Sequence, residues 1–213
     1  MIPGLFEEET REVRLAPGTM LLRGFAVRFE APCLTALRRI VEVAPFRHMV
    51  TPGGNRMSVA MTNCGTAGWV TDRAGYRYDR RDPQTGHPWP AMPGVFADLA
   101  AKAAARAGFE GFAPDACLIN RYEPGARLSL HQDKDERDLS APIVSVSLGL
   151  PAVFLLGGLR RADPKSRVPL SHGDVVVWGG PARLRYHGVL PLGPGHHLLT
   201  GSHRINLTFR RAA

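Results

Sequence analysis

The chain has 213 residues, of which 44% are hydrophobic and 22% charged, a composition typical of one globular domain with a complete core. No apolar run approaches the ~18 residues that cross a membrane, and the first residues lack the basic-then-apolar order of a secretory signal. Three widely spaced cysteines, Cys33, Cys64 and Cys117, include no CxxC pair and fit a reducing compartment. We therefore expect a cytoplasmic protein without a membrane partner.

The formal net charge is +8. Such an excess favours a polyanionic partner, nucleic acid first. Codon bias is an equally good explanation, because 24 of the 27 basic residues are Arg and only three are Lys. Charge alone leaves both explanations open.

The N-terminal half combines short strands with helices. Residues 1–14 mix charge with Pro and Gly and predict a flexible tail, followed by short strands at 13–15 and 20–25 around a Pro-Gly turn. A helix is predicted from Pro32 to just before Pro45, with apolar residues at helical spacing.

A loop at 51–55 precedes a predicted strand at 57–62, and 94–106 is a predicted alanine-rich helix. Between them, residues 68–81 form a predicted hairpin that contains Trp69, Tyr76, Tyr78 and several arginines. Such a segment is suited to stacking on bases and binding phosphates, although an irregular surface hairpin would have the same composition.

After Pro114 the pattern changes to short strands separated by turns, with no further helix of any length. Eight are predicted, at 117–122, 126–131, 143–150, 152–156, 167–170, 174–178, 184–188 and 203–210. This spacing predicts a β-sandwich or jelly roll, against which the N-terminal helices pack. The fold class is α+β, mainly β.

The segment 128–135 carries the first chemical signal. Read as one continuous strand, it places His131, Asp133 and Asp135 on the same face. Two His and one carboxylate with open positions are the ligands of non-haem Fe(II) oxygenases, so His131 and Asp133 could supply two of three. Alone, a His-x-Asp pair is weak evidence, because a surface strand can carry it by chance.

A third ligand must come from a downstream histidine. The candidates are His172, His187, His196, His197 and His203. His187 is favoured because it lies in a predicted inner strand, whereas three of the others fall in turns. A hydrogen-bonded core histidine remains an alternative for it.

The last predicted strand has two distinct faces. Arg204, Asn206 and Arg210 alternate with apolar residues. The arginine face is either solvated or part of a pocket, in which two guanidinium groups could bind a small dicarboxylate.

Together, His131-x-Asp133, His187 and the Arg204-to-Arg210 strand resemble the Fe(II)/2-oxoglutarate dioxygenases. The Asn-Arg-Tyr segment 120–122, the Trp69/Tyr76 hairpin and the final strand resemble the AlkB family of alkylated-nucleic-acid demethylases in particular. The resemblance covers residues 15 to 211. It implies a double-stranded β-helix at 111–213, preceded at 15–110 by an extension that carries a nucleotide-recognition lid, together forming one dioxygenase domain at 15–213.

The resemblance also implies ligand roles. His131, Asp133 and His187 would bind Fe(II), with 2-oxoglutarate and O2 as co-substrates. Five residues would hold 2-oxoglutarate: Arg204, Asn206 and Tyr122 at its distal carboxylate, and Arg210 and Asn120 nearer the metal.

The implied substrate contacts lie in the lid and around the metal strand. Trp69 would stack on an extruded base with His131 on its other side, Tyr76 would hold phosphate, and Asp135 would contact the exocyclic amine. The other implied contacts are Tyr78, Arg161, Thr51, Arg127 and Gln132.

The function implied is a DNA oxidative demethylase that hydroxylates the alkyl group of bases such as 1-methyladenine and 3-methylcytosine and releases formaldehyde. The implied partner is alkylated single-stranded DNA, with double-stranded DNA or RNA as alternatives, and the implied state is a monomer. Other readings are an RNA or tRNA demethylase, a hydroxylase of small molecules or proteins, and a non-catalytic nucleic-acid-binding jelly roll.

Overall fold

The computed structural model describes residues 11–212. Its N-terminal half contains β1 (Glu12–Ala16), β2 (Thr19–Leu22), α1 (Glu30–Val43), β3 (Arg47–Val50), β4 (Arg56–Gly65), β5 (Gly68–Asp72), β6 (Gly75–Asp79) and α2 (Gly94–Arg106). The C-terminal half contains β7 (Ala116–Tyr122), β8 (Leu128–His131), β9 (Ile143–Gly149), β10 (Ala152–Leu156), β11 (Ser166–Leu170), β12 (Val175–Trp178), β13 (His187–Val189) and β14 (Arg204–Arg210).

Two antiparallel sheets form the body of the protein. The large sheet has eight strands in the order β1-β2-β12-β9-β14-β7-β4-β3, and the small sheet has four in the order β11-β10-β13-β8. Among residues 11–212, strands β5 and β6 pair only with each other, and we call them the lid hairpin. The jelly-roll fold predicted from the strand spacing is confirmed.

The helices cover the outer face of the large sheet. Leu34, Leu37 and Ile40 of α1 recur at helical spacing and are buried. From α2, Phe96 packs edge-to-face on Phe209 of β14, with ring centroids 5.8 Å apart. Burial of each such side chain away from water stabilises the fold by about 1.5–3 kcal/mol. The helices therefore hold β14 in place from the outer face of the large sheet.

A second core fills the space between the two sheets. It joins Tyr122 and Trp178 of the large sheet to Phe154, Leu156 and Val189 of the small one. Buried polar side chains of β7, β9 and β14 also enter this space, at the end where Arg210 of β14 bonds Asp133. That end of the sandwich carries the candidate site.

Both helices and the strand spacing agree with the sequence-based predictions, but three details do not. The strand predicted at 126–131 ends at His131, so the continuation to residue 135 that the same-face argument assumed is absent. The strand predicted at 184–188 spans His187–Val189, and β3 was not predicted. Residues 180–184 form a 3-10 helix and a turn, because the Ala182, Arg183 and Arg185 amides each donate to the carbonyl three residues earlier, so the strand begins only at His187.

The predicted tail at 1–14 lies mostly outside the described residues, but its end was wrong, because β1 begins at Glu12. Within 11–212, neither helix is long and apolar enough to span a membrane.

Candidate active site

Two histidines meet on neighbouring strands of the small sheet. His131 of β8 and His187 of β13 are register partners, and their ring centroids lie 4.3 Å apart. The strands approach closely beside them because residue 188 is Gly, where a Cβ atom would lie 2.8 Å from the Leu128 carbonyl oxygen. The register shifts at this glycine, and such a local irregularity re-aims side chains.

Asp133 completes the group from a loop, not from a strand. Its Oδ1 lies 3.6 Å from His131 Nε2, and its Oδ2 lies 3.6 Å from His187 Nε2. One donor atom from each of the three residues falls within 4.8 Å of the others. The same-face argument from strand alternation was therefore wrong in its reason, although the side chains do converge.

The orientation of both rings is set by the backbone. His131 Nδ1 is 2.8 Å from the Ser129 carbonyl oxygen, and His187 Nδ1 is 3.0 Å from that of Arg185. Because a carbonyl only accepts, each Nδ1 carries a proton, and each Nε2 faces Asp133. A carbonyl that accepts from the other ring nitrogen in this way orients an imidazole for metal binding.

The charges of the site also suit a cation. Burial opposes ionisation of Asp133, but Arg210 and the two imidazoles hold the pKa of its carboxyl well below the usual range. Burial and the neighbouring His131 lower the pKa of His187 from 6.5 to about 4. At neutral pH the carboxylate is ionised and His187 is neutral, which are the forms that bind metals. A carboxylate and two imidazoles fit Fe(II).

Arg204, at the start of β14, is buried with unused donors. Its Nη2 donates to Ser147 Oγ at 2.9 Å, but Nε and Nη1 have no partner among residues 11–212. Its guanidinium lies 4.9 Å from the ring centre of Tyr122. Burial lowers the pKa of this guanidinium, and an unpaired buried cation costs several kcal/mol. Such a cradle fits an anion, and hence a carboxylate of 2-oxoglutarate.

The other predicted co-substrate residues are used differently. Arg210 donates to Asp133 Oδ2 through Nε at 3.1 Å and Nη2 at 2.7 Å. Asn206 donates to Ser145 Oγ at 2.8 Å and accepts from Asn120 Nδ2 at 3.3 Å. Both side chains already have partners in the protein, so their contact with 2-oxoglutarate stays a prediction.

The lid hairpin brings an aromatic surface to this centre. Trp69 is partly exposed and stacks on Tyr76 with ring centroids 5.8 Å apart. Its Nε1 donates to Asp135 Oδ2 at 2.9 Å. Tyr78 points inward instead, and its hydroxyl donates to Glu136 Oε1 at 2.8 Å. The structure thus joins the Trp69–Tyr76 stack to the segment that carries Asp133.

The remaining predicted contacts lie around the rim. Arg161 is exposed and donates through Nη1 to the Leu130 carbonyl at 2.7 Å. The Gln132 amide donates to the Leu184 carbonyl at 2.6 Å, so it braces the loop. Arg127 is exposed, and Thr51 accepts from the Asn55 backbone at 3.2 Å.

Four polar residues near the centre escaped sequence reasoning. Ser145 and Ser147 alternate with apolar residues in β9, and this two-residue period was a usable signal for a polar inner face. Glu136 and Arg183 form a buried ion pair with an N–O distance of 3.0 Å. Nothing in their local sequence separates them from surface charges.

Comparisons with known proteins agree with this geometry. The 2OG-Fe(II) oxygenase superfamily matches residues 9–210. The chain is 62% identical over 199 residues to the "Alpha-ketoglutarate-dependent dioxygenase AlkB" of Salmonella typhimurium, covering 93% of this chain and 92% of the relative. Against the protein of the same name from Escherichia coli, identity is 61% over 198 residues, with 93% and 92% covered.

A solved structure, that of OsALKBH1, superimposes with a TM-score of 0.81 at 31% identity, covering 94% of this chain and 100% of the solved one. The resemblance inferred from the motifs is confirmed. The chain belongs to the 2OG-Fe(II) oxygenase superfamily and, within it, to the AlkB family of dioxygenases, which use Fe(II), 2-oxoglutarate and O2.

Proposed function

We propose that this protein is a DNA oxidative demethylase that removes N-linked alkyl groups from damaged bases, such as 1-methyladenine and 3-methylcytosine. One observation carries the proposal. The convergent group His131, Asp133 and His187 is joined to an aromatic platform, because Asp135, two residues after Asp133, bonds Trp69. A centre suited to iron therefore lies beside a surface suited to stacking a base.

When bound, iron with O2 and 2-oxoglutarate supplies the oxidising chemistry, and succinate and CO2 are the co-products. One oxygen atom enters a C–H bond of the N-methyl group, and the other enters succinate. The hydroxymethyl product then loses its O–H proton and breaks its C–N bond, which releases formaldehyde and leaves the electron pair of that bond on the ring nitrogen of the restored base. The protein's part is to bind, orient and shield the reactants, so no side chain is required as a general base.

The metal ligands are assigned as His131, Asp133 and His187. We assign the distal carboxylate of 2-oxoglutarate to Arg204, supported by its two unpartnered donors and by the adjacent Tyr122 ring. The end of 2-oxoglutarate nearer the metal is assigned to two polar side chains of the facing strands. These are Asn120 and Arg210.

Base recognition is assigned to the lid hairpin and the rim. A target base must leave the stack, and an alkylated Watson–Crick edge lowers the cost of extrusion because it pairs poorly. Trp69 would stack on the base with His131 opposite, and Asp135 would accept from its exocyclic amine. The exposed Tyr76 and Arg161 would hold the substrate strand, in keeping with the net charge of +8.

The domain plan follows from these assignments. Residues 15–110 would supply the lid and 111–213 the catalytic core of one domain, although β1 to β4 complete the large sheet and tie the two parts together. We further propose a monomer that acts on single-stranded DNA in the cytoplasm.

The test is formaldehyde release with Fe(II), 2-oxoglutarate and O2 on matched oligonucleotides. The panel holds 1-methyladenine, 3-methylcytosine or the unmodified base, each in DNA and in RNA, with His187→Ala as the inactive control. We expect one formaldehyde for each base repaired, with DNA preferred. Preference for RNA would revise the substrate class. No product on any oligonucleotide, together with turnover of a metabolite, would overturn the proposal, and activity in His187→Ala would overturn the ligand assignment.

A further inference from the structure

The loop that carries Asp133 lacks the strand pairing that supports His131 and His187. His131 and His187 lie on paired strands, whereas residues 132–142, which we call the Asp133 loop, lie outside every strand between β8 and β9. A metal ligand must be held to within a fraction of an ångström to be effective. Contacts from elsewhere in the chain must therefore fix the Asp133 loop.

Arg183 provides those contacts. Its Nη1 donates to the Asp133 carbonyl at 2.8 Å, and its Nε donates to the Ala141 carbonyl at 3.0 Å. Its Nη2 donates to Glu136 Oε2, also at 3.0 Å. One guanidinium thus binds the beginning, middle and end of the Asp133 loop.

The position of Arg183 links this loop to the second half of the metal site. Arg183 is 3% exposed and follows a short 3-10 turn at Gly180–Ala182, four residues before His187. The side chain therefore joins the segment that leads to His187 with the loop that carries Asp133. Both segments lose a common anchor if Arg183 is removed.

Glu136 extends the same arrangement to the side chain of Asp133. Its Oε1 accepts from the Tyr78 hydroxyl at 2.8 Å and lies 3.2 Å from Arg210 Nε. Arg210 in turn bonds the Asp133 carboxylate. The two buried arginines and two carboxylates balance in charge, so this network is buried without a net charge of its own.

We propose that Arg183 is a positioning residue for metal binding, which holds Asp133 through its backbone carbonyl and through Glu136. Arg183 touches neither metal nor substrate, and the inference rests on the metal site of the proposed function. A lysine could not replace it fully, because its three donors share one nitrogen, whereas the planar guanidinium directs three separate nitrogens to three separate acceptors.

The experiment measures Mn²⁺ affinity by calorimetry in the full chain without substrate. The variants are Arg183→Met and Arg183→Lys. Arg23→Met is the matched control, because Arg23 likewise donates to a buried carboxylate, Asp174, and to a backbone carbonyl, that of Pro169. Unfolding without metal and deuterium exchange of residues 132–142 are measured on the same samples.

We expect Arg183→Met to weaken Mn²⁺ binding by about tenfold or more, as losses of outer-shell partners do, and to speed exchange in the Asp133 loop. Arg183→Lys should fall between it and the wild type. Arg23→Met should lower stability but keep its Mn²⁺ affinity within about twofold of the wild type.

The outcomes distinguish a failure of the metal site from a failure of the positioning role of Arg183. A wild type that does not bind Mn²⁺ overturns the metal site and hence the proposed function. Normal binding by the wild type and by both Arg183 variants overturns only the positioning role, as does an equal loss in Arg23→Met. If Arg183→Met does not fold, the affinity of Arg183→Lys decides, and a value equal to the wild type contradicts the proposal.

Discussion

The metal centre and the lid hairpin differ in how deeply their side chains are buried and in how firmly they are held. At the centre, His187 and Arg210 are buried, and each has a fixed partner: His187 Nδ1 bonds the Arg185 carbonyl, and Arg210 bonds the Asp133 carboxylate. In the part of the chain that the structure describes, the lid hairpin pairs with no third strand, and Tyr76 at its face is 51% exposed. A buried charge that loses its partner costs much free energy, whereas an exposed aromatic side chain can move at little cost.

This contrast implies a division of labour. Rigid, desolvated groups suit the steps common to every turnover, namely binding the metal and 2-oxoglutarate. A half-exposed platform suits recognition of a substrate that must enter and leave. Changes at the centre should therefore impair binding of the metal or of 2-oxoglutarate, and changes in the lid hairpin should alter only which oligonucleotide is used and how tightly it binds.

The largest effect is expected for Asp133→Ala. The change removes a metal ligand and leaves Arg210 without its closest carboxylate, so formaldehyde release should fall by more than about a hundredfold and Mn²⁺ binding should be lost. Asp138→Ala, a carboxylate five residues further on that pairs with Arg211 at the surface, is the matched control. Retained Mn²⁺ affinity in Asp133→Ala would contradict the assignment of the centre.

Arg204→Met should separate ligand binding from folding. We expect the KM for 2-oxoglutarate to rise roughly 30-fold, about 2 kcal/mol, because a buried charge pair is lost from the complex. Without 2-oxoglutarate the variant should be as stable as the wild type or more so, since two of the guanidinium donors have no protein partner among residues 11–212. A destabilised variant with an unchanged KM would show that Arg204 is only structural.

In the lid hairpin, Trp69→Ala should raise the KM for a methylated oligonucleotide by roughly 5- to 150-fold, the ~1–3 kcal/mol of one base–aromatic stack. Trp69→Phe keeps a stacking face but loses the hydrogen bond to Asp135, and it should recover most of the affinity. Equal losses in both variants would instead make that hydrogen bond the main contribution of Trp69.

The smallest effect on activity is expected for the ion pair that anchors the loop after the lid hairpin. Asp82 forms a two-pronged ion pair with Arg47 of β3. Burial opposes its charge, but Arg47 keeps the pKa of Asp82 below the usual range. Because the folded-state pKa is depressed, this pair contributes stability above the ordinary pKa of an aspartate, and that contribution is lost as the pH falls through the lowered value.

Urea unfolding at several pH values tests this pair. Asp82→Asn should be less stable than the wild type by about 3 kcal/mol at neutral pH, and the difference should shrink as the pH falls below the ordinary aspartate range. A difference in stability that does not change with pH would mean that Asp82 stabilises the protein through packing and neutral hydrogen bonds and not through its charge.

Sequence patterns predicted the regular parts of the molecule well. Two helices, the hairpin and eight C-terminal strands follow from periodicity and turn residues, and the alternation from Arg204 to Arg210 correctly separated a polar face from an apolar one. These features are local, so a single sequence contains the information. The His-x-Asp pair and the search for a downstream histidine led to His131, Asp133 and His187, the resemblance implied their role as Fe(II) ligands, and the structure brings their donor atoms together.

The loop around Asp133 was not predictable in the same way. Local alternation suggested a strand to residue 135, but the chain leaves the strand after His131, because Arg183 and Arg210, some 50 and 77 residues away, bind this segment. Long-range contacts of this kind leave no period in the sequence. Buried charges such as Glu136 and Arg183 also look like ordinary surface residues until their partners are known.

The most direct test of the division between centre and lid is the Kd of 2-oxoglutarate for the Mn²⁺-loaded protein, compared between wild type, Arg204→Met and Trp69→Ala. The account predicts binding weakened roughly 30-fold in Arg204→Met and a Kd within about twofold of the wild type in Trp69→Ala. Equal weakening in both variants, or normal binding in Arg204→Met, would contradict it.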